Sequence, residues 1–244
     1  VDQFAEAGYI AIAPDFLSGT GPNGGGSESF GANDNIRGKI QGLADSQVMA
    51  DVKAAAEYVA KLPAANGKVA VGGSCWGGGK TFNYGATGAK FAAGLVFYGS
   101  APEAAKMSAI QAPIYGFYGG NDARITAAVP EVTTQMKAAG KAYDPVTYDG
   151  AGHGFMRAGE DPAATEPNKK AREQAWTRIK AIAIRHAYVL RRSPHRSFDV
   201  FVWPVVDVLL WGSLGIAGLG TVGGGFLLMP VFAGDVLGLG ATGY

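Results

Sequence analysis

The pentapeptide Gly73-Ser74-Cys75-Trp76-Gly77 constrains the fold of this chain more than any other stretch. It follows a run of strand-favouring residues, 68–72, and it continues into further glycines at 78 and 79. A Gly-x-nucleophile-x-Gly sequence between a strand and a helix predicts a sharp turn that presents one side chain above a parallel sheet. Glycines flank such a turn because its strained backbone passes too close to its neighbours for a Cβ atom.

The spacing of the two outer glycines selects the nucleophile. If Ser74 were the central residue, Trp76 would stand where the second glycine is required, so Cys75 is the candidate. A thiol at the N-terminus of a helix is predicted to favour its thiolate form, because that end of the helix carries positive charge. A lone cysteine after a strand is also commonly a small buried residue, and the pentapeptide alone leaves both interpretations open.

Composition limits the functions that the chain can have. The 244 residues suffice for one large α/β domain, alone or with an appendage. With 21 basic and 20 acidic residues the net charge is +1, which gives no indication of a nucleic-acid partner. The single cysteine excludes an intrachain disulfide and a multi-cysteine metal cluster. The candidates for a general base are the three histidines, His153, His186 and His195.

Predicted strands alternate with predicted helices along most of the chain. Short apolar runs predict strands at 9–13, 92–99 and 113–120, a run of strand-favouring residues predicts one at 68–72, and a further strand is predicted at 143–148. Helical spacing of apolar residues predicts helices from Asp45, over 127–139 and from Pro167. The run at 9–13 is expected to be buried on both faces, and the Gly-, Ser- and Asn-rich stretch 18–35 is expected to be a long surface loop. The alternation is typical of a mostly parallel sheet with helices on both faces.

Three residues with catalytic chemistry each follow a predicted strand directly: Cys75, Asp122 and His153. Because ligands of parallel sheets bind at the carboxyl ends of the strands, we expect these three side chains at one edge of the sheet. Their order along the chain, nucleophile then acid then histidine, is the order of an α/β-hydrolase.

Each of these residues has a role in acyl transfer. Cys75 would attack an acyl carbon, His153 would take and return a proton, and Asp122 would fix the tautomer of the imidazole. The backbone N–H of Trp76, the residue after the nucleophile, would supply half of an oxyanion hole. Taken alone, an aspartate in this position is more often a helix cap, and a histidine is more often a plain loop residue. Their joint occurrence favours a catalytic triad.

Three segments of the sequence resemble the signatures of the dienelactone hydrolase family, the carboxymethylenebutenolidases. These segments are 73–78, 118–122 and 152–157, and the stretch 4–15 resembles the region after the family's first long helix. The resemblance covers residues 1–184. It is specific, because a cysteine in place of the usual serine separates this family from most α/β-hydrolases.

The resemblance implies hydrolysis of a small-molecule ester or lactone without a metal or an organic cofactor. Family members hold a substrate carboxylate with arginines, and Arg157, four residues after His153, matches one such position. The resemblance therefore implies an anionic substrate. Arg37 has only a weak local match, and we favour a surface role for it.

The resemblance also implies segments that precede the first residue of this sequence. Family members have further strands there, a loop that provides the second oxyanion N–H, and a glutamate that contacts the cysteine. We therefore expect an α/β-hydrolase fold whose first strands are missing. Loss of one oxyanion donor costs roughly 10²–10³ in rate, so a catalytically impaired fragment is the first alternative to an active enzyme.

The C-terminal part of the chain has a different composition. We predict an α/β-hydrolase-like domain over 1–187 and an apolar, glycine-rich tail over 188–244. No charged residue occurs in 208–234, a span longer than the ~20 residues of a membrane helix. Membrane contact through 205–234 would leave the preceding basic stretch cytoplasmic, and a membrane-tethered, non-enzymatic module is the second alternative. The tail is otherwise a non-native extension, and we expect a cytoplasmic monomer.

Overall fold

The structure, a computed structural model, describes residues 1–31 and 35–191. The chain divides into two units, Val1–Ala181 and Ile182–Tyr244, and the first unit contains the sheet and the residues predicted for catalysis. The predicted membrane contact at 205–234 lies outside the described residues. Among the helices in the described ranges, none combines the length and the apolar character needed to cross a membrane.

Four strands form one parallel sheet in the order in which they occur in the chain. They are β1 (Ala70–Ser74), β2 (Ala93–Phe97), β3 (Ile114–Gly119) and β4 (Tyr143–Tyr148). Ser74 lies opposite Phe97, and Phe97 lies opposite Phe117 in the next strand. Parallel neighbours require a crossover between them, and a helix occupies each crossover of this sheet.

The helices range from single turns to the long final helix. In the described residues they are α1 (Asp2–Glu6), α2 (Ile36–Gln41), α3 (Asp45–Ala60), α4 (Trp76–Ala86), α5 (Ala104–Met107), α6 (Ala123–Thr126), α7 (Val129–Ala138), α8 (Phe155–Ala158) and α9 (Glu166–Arg191). Two short 3₁₀ helices, Pro22–Gly24 and Ser27–Ser29, interrupt the predicted loop at 18–35. The crossovers contain α4, then α5, then α6 and α7.

Helices cover both faces of the sheet. Ile114 of β3 packs in a buried cluster with residues of α4, α5 and α7, namely Phe82, Met107 and Met136. Phe117 of the same strand faces α9 instead, where the guanidinium of Arg178 lies 4.6 Å from the centroid of its ring. Side chains alternate between the two faces of a strand, so these contacts place α9 opposite the other three helices. The predicted α/β architecture is confirmed.

The predicted strand at 9–13 is wrong. These residues form no strand, and Tyr9, Ile10 and Ile12 are 38%, 44% and 40% exposed. An extended segment becomes a strand only when a neighbour takes up its backbone hydrogen bonds, and β1 pairs with β2 alone. An apolar run in a sequence does not reveal whether such a neighbour is present.

The other predicted strands are confirmed with small changes in their bounds. The run at 143–148 is β4 without any change, whereas the strand before Cys75 starts at Ala70 and continues to Ser74. The helix predicted from Asp45 is α3, and Val48 on its predicted apolar face is fully buried. The strand ends therefore lie next to the residues predicted for catalysis.

Candidate active site

Cys75 is a single residue between β1 and α4, in the sharp turn that the sequence predicts. Its φ of 54° and ψ of −117° lie in a region that residues other than glycine rarely adopt, at a cost of about 1–3 kcal/mol. The Cys75 N–H donates to the carbonyl of Phe97 in β2 (3.0 Å), and the Cys75 carbonyl accepts from the N–H of Gly79 in α4 (3.1 Å). The sheet and the helix thus hold the strained turn, with the cysteine exposed.

The glycines around this turn are not equally constrained. A Cβ atom on Gly73 would overlap the carbonyl group of Gly77, and one on Gly78 would lie 2.7 Å from the carbonyl oxygen of Phe97. A Cβ atom on Gly77 itself would meet no atom within 4 Å. The prediction that close contacts exclude a Cβ at both outer glycines is therefore confirmed for Gly73 and wrong for Gly77.

Asp122, His153 and Cys75 are joined by a continuous series of hydrogen bonds. His153 Nδ1 lies 2.5 Å from Asp122 Oδ2, and His153 Nε2 lies 3.0 Å from Cys75 Sγ. The side chain of Asp122 is 5% exposed, whereas that of His153 is 35% exposed. When Nδ1–H donates to the carboxylate, Nε2 is left to accept the thiol proton, which is the arrangement of a general base.

Asp122 occupies the position before α6, where an aspartate commonly caps a helix. Its side chain makes no capping hydrogen bond. The backbone carbonyl of Asp122 accepts instead from the N–H groups of Ile125 (3.0 Å) and Thr126 (2.8 Å). Helix capping therefore does not account for the carboxylate, which is directed at His153.

The loop that carries Asp122 is bonded directly to the loop that carries His153. The backbone N–H of Asn121 donates to the carbonyl of Ala151 (2.9 Å). The side-chain amide of Asn121 donates to the carbonyl of Gly150 (3.1 Å). The approach is so close that a Cβ atom on Gly119 would lie 2.6 Å from the carbonyl oxygen of Ala151. Backbone contacts thus set the spacing between the carboxylate and the imidazole.

The loop of His153 is also held by the first turns of α9. Asn168 Oδ1 accepts from the N–H of Gly152 (2.9 Å), and the guanidinium of Arg172 donates to the carbonyl of Met156 (2.7 Å). These two contacts lie on either side of His153 in the chain. Gly154, the residue after His153, has a φ of 78°, a backbone conformation that glycine adopts easily. The chain can therefore turn directly into α8.

The surroundings of Cys75 shift its pKa in favour of the protonated thiol. Burial raises the pKa of Cys75 above its ordinary value, and the negative charge of Asp122 raises this pKa further. The positive charges of Arg124 and Arg37 lower the pKa of Cys75, but the net shift is upward. These contributions act against the thiolate form that the helix N-terminus is predicted to favour. A thiol can act as a nucleophile only with a base in contact with it, and His153 Nε2 lies in the position that such a base would occupy.

Trp76 begins α4 directly after Cys75. Its N–H has no hydrogen-bond acceptor among the described residues, as expected in the first turn of a helix, so it is free to donate to an oxyanion. Its indole packs on Phe16 with ring centroids 5.8 Å apart, and Lys80 Nζ lies 5.1 Å from the indole centroid. Lys80 also forms an ion pair with Asp45 of α3.

Three arginines are candidates for binding an anionic substrate. Arg157, the residue predicted from the sequence, is exposed on α8, four residues after His153. Arg37 on α2 is exposed, as its predicted surface role requires, yet its charge also lowers the pKa of Cys75. Arg124 has the same effect, and no motif marked it. The only sequence signal for Arg124 is its position two residues after Asp122.

Tyr98 contacts the imidazole of His153, and no pattern in the sequence predicts this contact. It directly follows β2, it is 2% exposed, and its ring centroid lies 5.0 Å from that of His153. Its φ of 40° is unusual for a residue with a large side chain. In the sequence Tyr98 belongs to the apolar run 92–99, and nothing there distinguishes it from a core residue.

An open cavity is present whose lining includes none of Cys75, Asp122 and His153. The described residues also form no cluster that could hold a metal ion. The cavity has a volume of about 390 Å³ and is lined by the segment around Phe16 and by Asp51 and Tyr58 of α3. Within residues 1–31 and 35–191, no group of three or more His, Cys, Asp or Glu side chains could hold a metal ion. The absence of a cofactor stays an expectation from the sequence resemblance.

Comparisons with known proteins agree with this architecture. The sequence is 29% identical over 195 residues to a candidate carboxymethylenebutenolidase of Methylorubrum extorquens strain AM1, covering 74% of this chain and 66% of that protein. It is 28% identical over 182 residues to a carboxymethylenebutenolidase of a Pseudomonas species, covering 72% and 74%. The crystal structure of a candidate dienelactone hydrolase from Klebsiella pneumoniae superposes with a TM-score of 0.61 at 25% identity, covering 74% of this chain and 78% of that one.

A family model extends the match along most of the chain. The chain spans just under two thirds of the length of the Methylorubrum protein, 66%. The model of the dienelactone hydrolase family matches residues 1–185, a range that includes Cys75, Asp122 and His153. Together with the parallel sheet and the turn at Cys75, this match shows that the chain has an α/β-hydrolase fold and belongs to the dienelactone hydrolase family.

Proposed function

We propose that this chain hydrolyses a carboxylic ester or lactone, with Cys75 as nucleophile, His153 as general base and acid, and Asp122 as the residue that orients His153. One observation carries the proposal: the series of hydrogen bonds from Asp122 Oδ2 through the imidazole to Cys75 Sγ. Membership of the dienelactone hydrolase family supports the reaction class.

Acylation begins at the Cys75 thiol. His153 Nε2 takes the proton from Sγ while the sulfur attacks the carbonyl carbon of the substrate, and the carbonyl π electrons move to the oxygen. Asp122 stabilises the imidazolium, and the N–H of Trp76 donates to the oxyanion. When the tetrahedral intermediate collapses, the C–O bond breaks and the alkoxide takes the proton from Nε2. The acyl group remains on Sγ as a thioester.

Deacylation uses the same residues, with a water molecule in place of the thiol as the attacking group. His153 Nε2 takes a proton from a water molecule, whose oxygen adds to the thioester carbonyl carbon. The C–S bond then breaks, the carboxylic acid leaves, and the thiolate of Cys75 takes back the proton from His153. With a lactone the alcohol and the acid belong to one molecule, so the product is a single hydroxy acid.

The substrate that we propose is a small molecule with a negative charge near the reacting carbonyl group. Arg157 matches a carboxylate-binding position of the family, and Arg37 and Arg124 add positive charges that act on Cys75. A carboxylate close to these guanidinium groups would be held by charge-assisted hydrogen bonds.

The proposal is tested by a burst experiment with p-nitrophenyl acetate. We expect one equivalent of p-nitrophenol per enzyme molecule as the thioester forms, followed by slower turnover. Mass spectrometry should find the acetyl group on the peptide that contains Cys75, the single cysteine of the chain. Cys75→Ala should show neither burst nor turnover, and turnover at the wild-type rate in this variant would refute the assignment.

Histidine variants test the base separately. His153→Ala should lose turnover almost as completely as Cys75→Ala, because the members of a triad act as a unit. His186→Ala is the matched control and should keep turnover. If His186→Ala were the more damaging of the two, the base would have been misassigned.

A further inference from the structure

Tyr98 forms a buried wall beside the imidazole of His153. The two ring centroids lie 5.0 Å apart with an angle of 58° between the ring planes. The ring of Tyr98 also makes an edge contact with Phe155, two residues after the histidine, at a centroid distance of 5.4 Å. The tyrosine thus touches the segment that carries the catalytic base at two points.

The backbone of Tyr98 is fixed in an unusual conformation. Its φ is 40°, and its N–H donates to the carbonyl of Phe117 in β3 (2.8 Å). The next residue, Gly99, is pressed against α4, where a Cβ atom would overlap the backbone of Gly78. Strained residues persist only where the surrounding structure fixes them, and they concentrate at functional sites. The strain here accompanies the placement of an aromatic ring against the catalytic histidine.

The hydroxyl of Tyr98 lies towards the nucleophile. It is 3.4 Å from the Oγ of Ser74, the residue before Cys75, which is long for a hydrogen bond between hydroxyl groups. Burial raises the pKa of Tyr98, so its hydroxyl stays protonated. The backbone N–H of Met156 lowers this pKa, but its effect is smaller than that of burial. The ring of Tyr98 therefore packs directly on the imidazole of His153, whereas its hydroxyl makes only a long contact with Ser74.

The surrounding protein encloses the side chain of His153 only in part. The imidazole is 35% exposed, and its hydrogen bonds are those to Asp122 and Cys75. The bond to Asp122 restrains Nδ1, but the imidazole can still pivot by rotation about the Cα–Cβ and Cβ–Cγ bonds of His153. We propose that Tyr98 is a positioning residue, whose ring blocks this pivot and keeps His153 Nε2 in contact with Cys75 Sγ. The catalytic meaning of this role rests on the proposed function.

Two substitutions of Tyr98 and one control separate the parts of this role. Tyr98→Leu removes the flat face beside the imidazole, and Tyr98→Phe keeps that face without the hydroxyl. Tyr143→Phe is the matched control, because it removes another part-buried hydroxyl of the same sheet, bonded to the hydroxyl of Tyr118 (2.8 Å). For each variant we would measure kcat, KM, Tm and the pH dependence of Cys75 alkylation by iodoacetamide.

We expect the ring to matter more than the hydroxyl. Tyr98→Leu should lower kcat roughly 10–100-fold at little change in KM, since displacing a catalytic group by about 1 Å costs about 10²-fold. Tyr98→Phe and Tyr143→Phe should stay close to wild type. A kcat for Tyr98→Phe as low as that for Tyr98→Leu would overturn the assignment to the ring.

Alkylation distinguishes positioning from a loss of stability alone. The His153→Ala variant gives the pH profile of Cys75 alkylation when no base contacts the thiol. In that variant the charges of Asp122, Arg124 and Arg37 still act on the Cys75 pKa. Tyr98→Leu should shift the alkylation profile towards that of His153→Ala, and adding Tyr98→Leu to His153→Ala should cause no further shift. An unchanged wild-type profile in Tyr98→Leu, or additive effects in the double variant, would refute the proposal.

Two further safeguards keep the experiment decisive. If Tyr98→Leu does not fold, Tyr98→Met takes its place, because the flexible side chain fills buried volume without a flat face. A wild-type protein without esterase activity would refute the proposed function. The alkylation profiles would still report whether Tyr98 holds His153 against Cys75.

Discussion

Gly73 and Gly77 lie so close together that a Cβ atom on Gly73 would overlap the carbonyl group of Gly77. The end of β1 thus packs backbone to backbone against the first turn of α4. No change of rotamer relieves such an overlap, because the atoms that collide do not belong to a flexible side chain. The turn that presents Cys75 therefore requires a glycine at 73 but not at 77.

Two alanine variants test this asymmetry. Gly73→Ala should lower stability by about 3 kcal/mol or more, at the upper end for overpacking, because the backbone of α4 would have to move. Gly77→Ala should leave Tm unchanged or raise it by the equivalent of up to about 1 kcal/mol, since alanine favours a helix. Thermal unfolding followed by circular dichroism checks both. Equal losses of Tm would show that the whole pentapeptide is constrained.

Asp122→Asn should separate orientation of the histidine from helix capping. We expect kcat to fall about 10²–10⁴-fold, because an amide supports the wrong tautomer of His153. Tm should change little, because the Asp122 side chain does not cap α6. Esterase kinetics and thermal unfolding on the same preparation check this expectation. A variant that unfolds would show instead that the carboxylate is mainly structural.

Arg124→Gln should slow alkylation of Cys75. The positive charge of Arg124 lowers the pKa of Cys75, so its removal raises that pKa further. At any pH below the pKa the thiolate fraction then falls, and the pH profile of alkylation by iodoacetamide shifts to higher pH. The shift should shrink in high salt, which screens the charge of an exposed residue. An unshifted profile at low salt would place Arg124 too far from the thiol to act on it.

Arg157→Ala should reduce the preference for anionic substrates. We expect KM to rise for an ester that carries a carboxylate and to stay nearly constant for a neutral ester of similar size, because only the first pairs with the guanidinium. Arg157→Lys should recover part of the loss, since it restores the charge without the planar fork. Steady-state kinetics with the two esters check the prediction, and equal increases in KM would remove Arg157 from the binding site.

Local patterns in the sequence predict most of the fold, and the exception is instructive. The run at 143–148 is a strand with the predicted bounds, and the chain turns sharply at Cys75 as the glycine pattern requires. The run at 9–13 is more apolar than the run at 143–148 but forms no strand. A strand depends on the hydrogen bonds of a neighbour, and periodicity within one segment carries no information about that neighbour.

The site is predicted less completely than the fold. Cys75, Asp122 and His153 follow strand ends, so the topology of a parallel sheet brings them together. Tyr98 also follows a strand end, but its residue type is as common in cores as in active sites, and its backbone conformation is invisible in the sequence. The upward shift of the Cys75 pKa is not visible in the sequence either, because burial and the charge of Asp122 both depend on tertiary structure.

In the proposed reaction, the bonds from α9 to the loop of His153 make turnover depend on a helix that carries none of Cys75, Asp122 and His153. Asn168 and Arg172 hold the loop on either side of the histidine. Detachment of the first turns of α9 would release the catalytic base while the sheet and the Cys75 turn stayed folded, a sub-global opening. Mild heating or low denaturant should therefore abolish esterase activity before circular dichroism records the loss of the sheet. If this order of events is observed, the working lifetime of the proposed enzyme is set by the attachment of α9 and not by global unfolding.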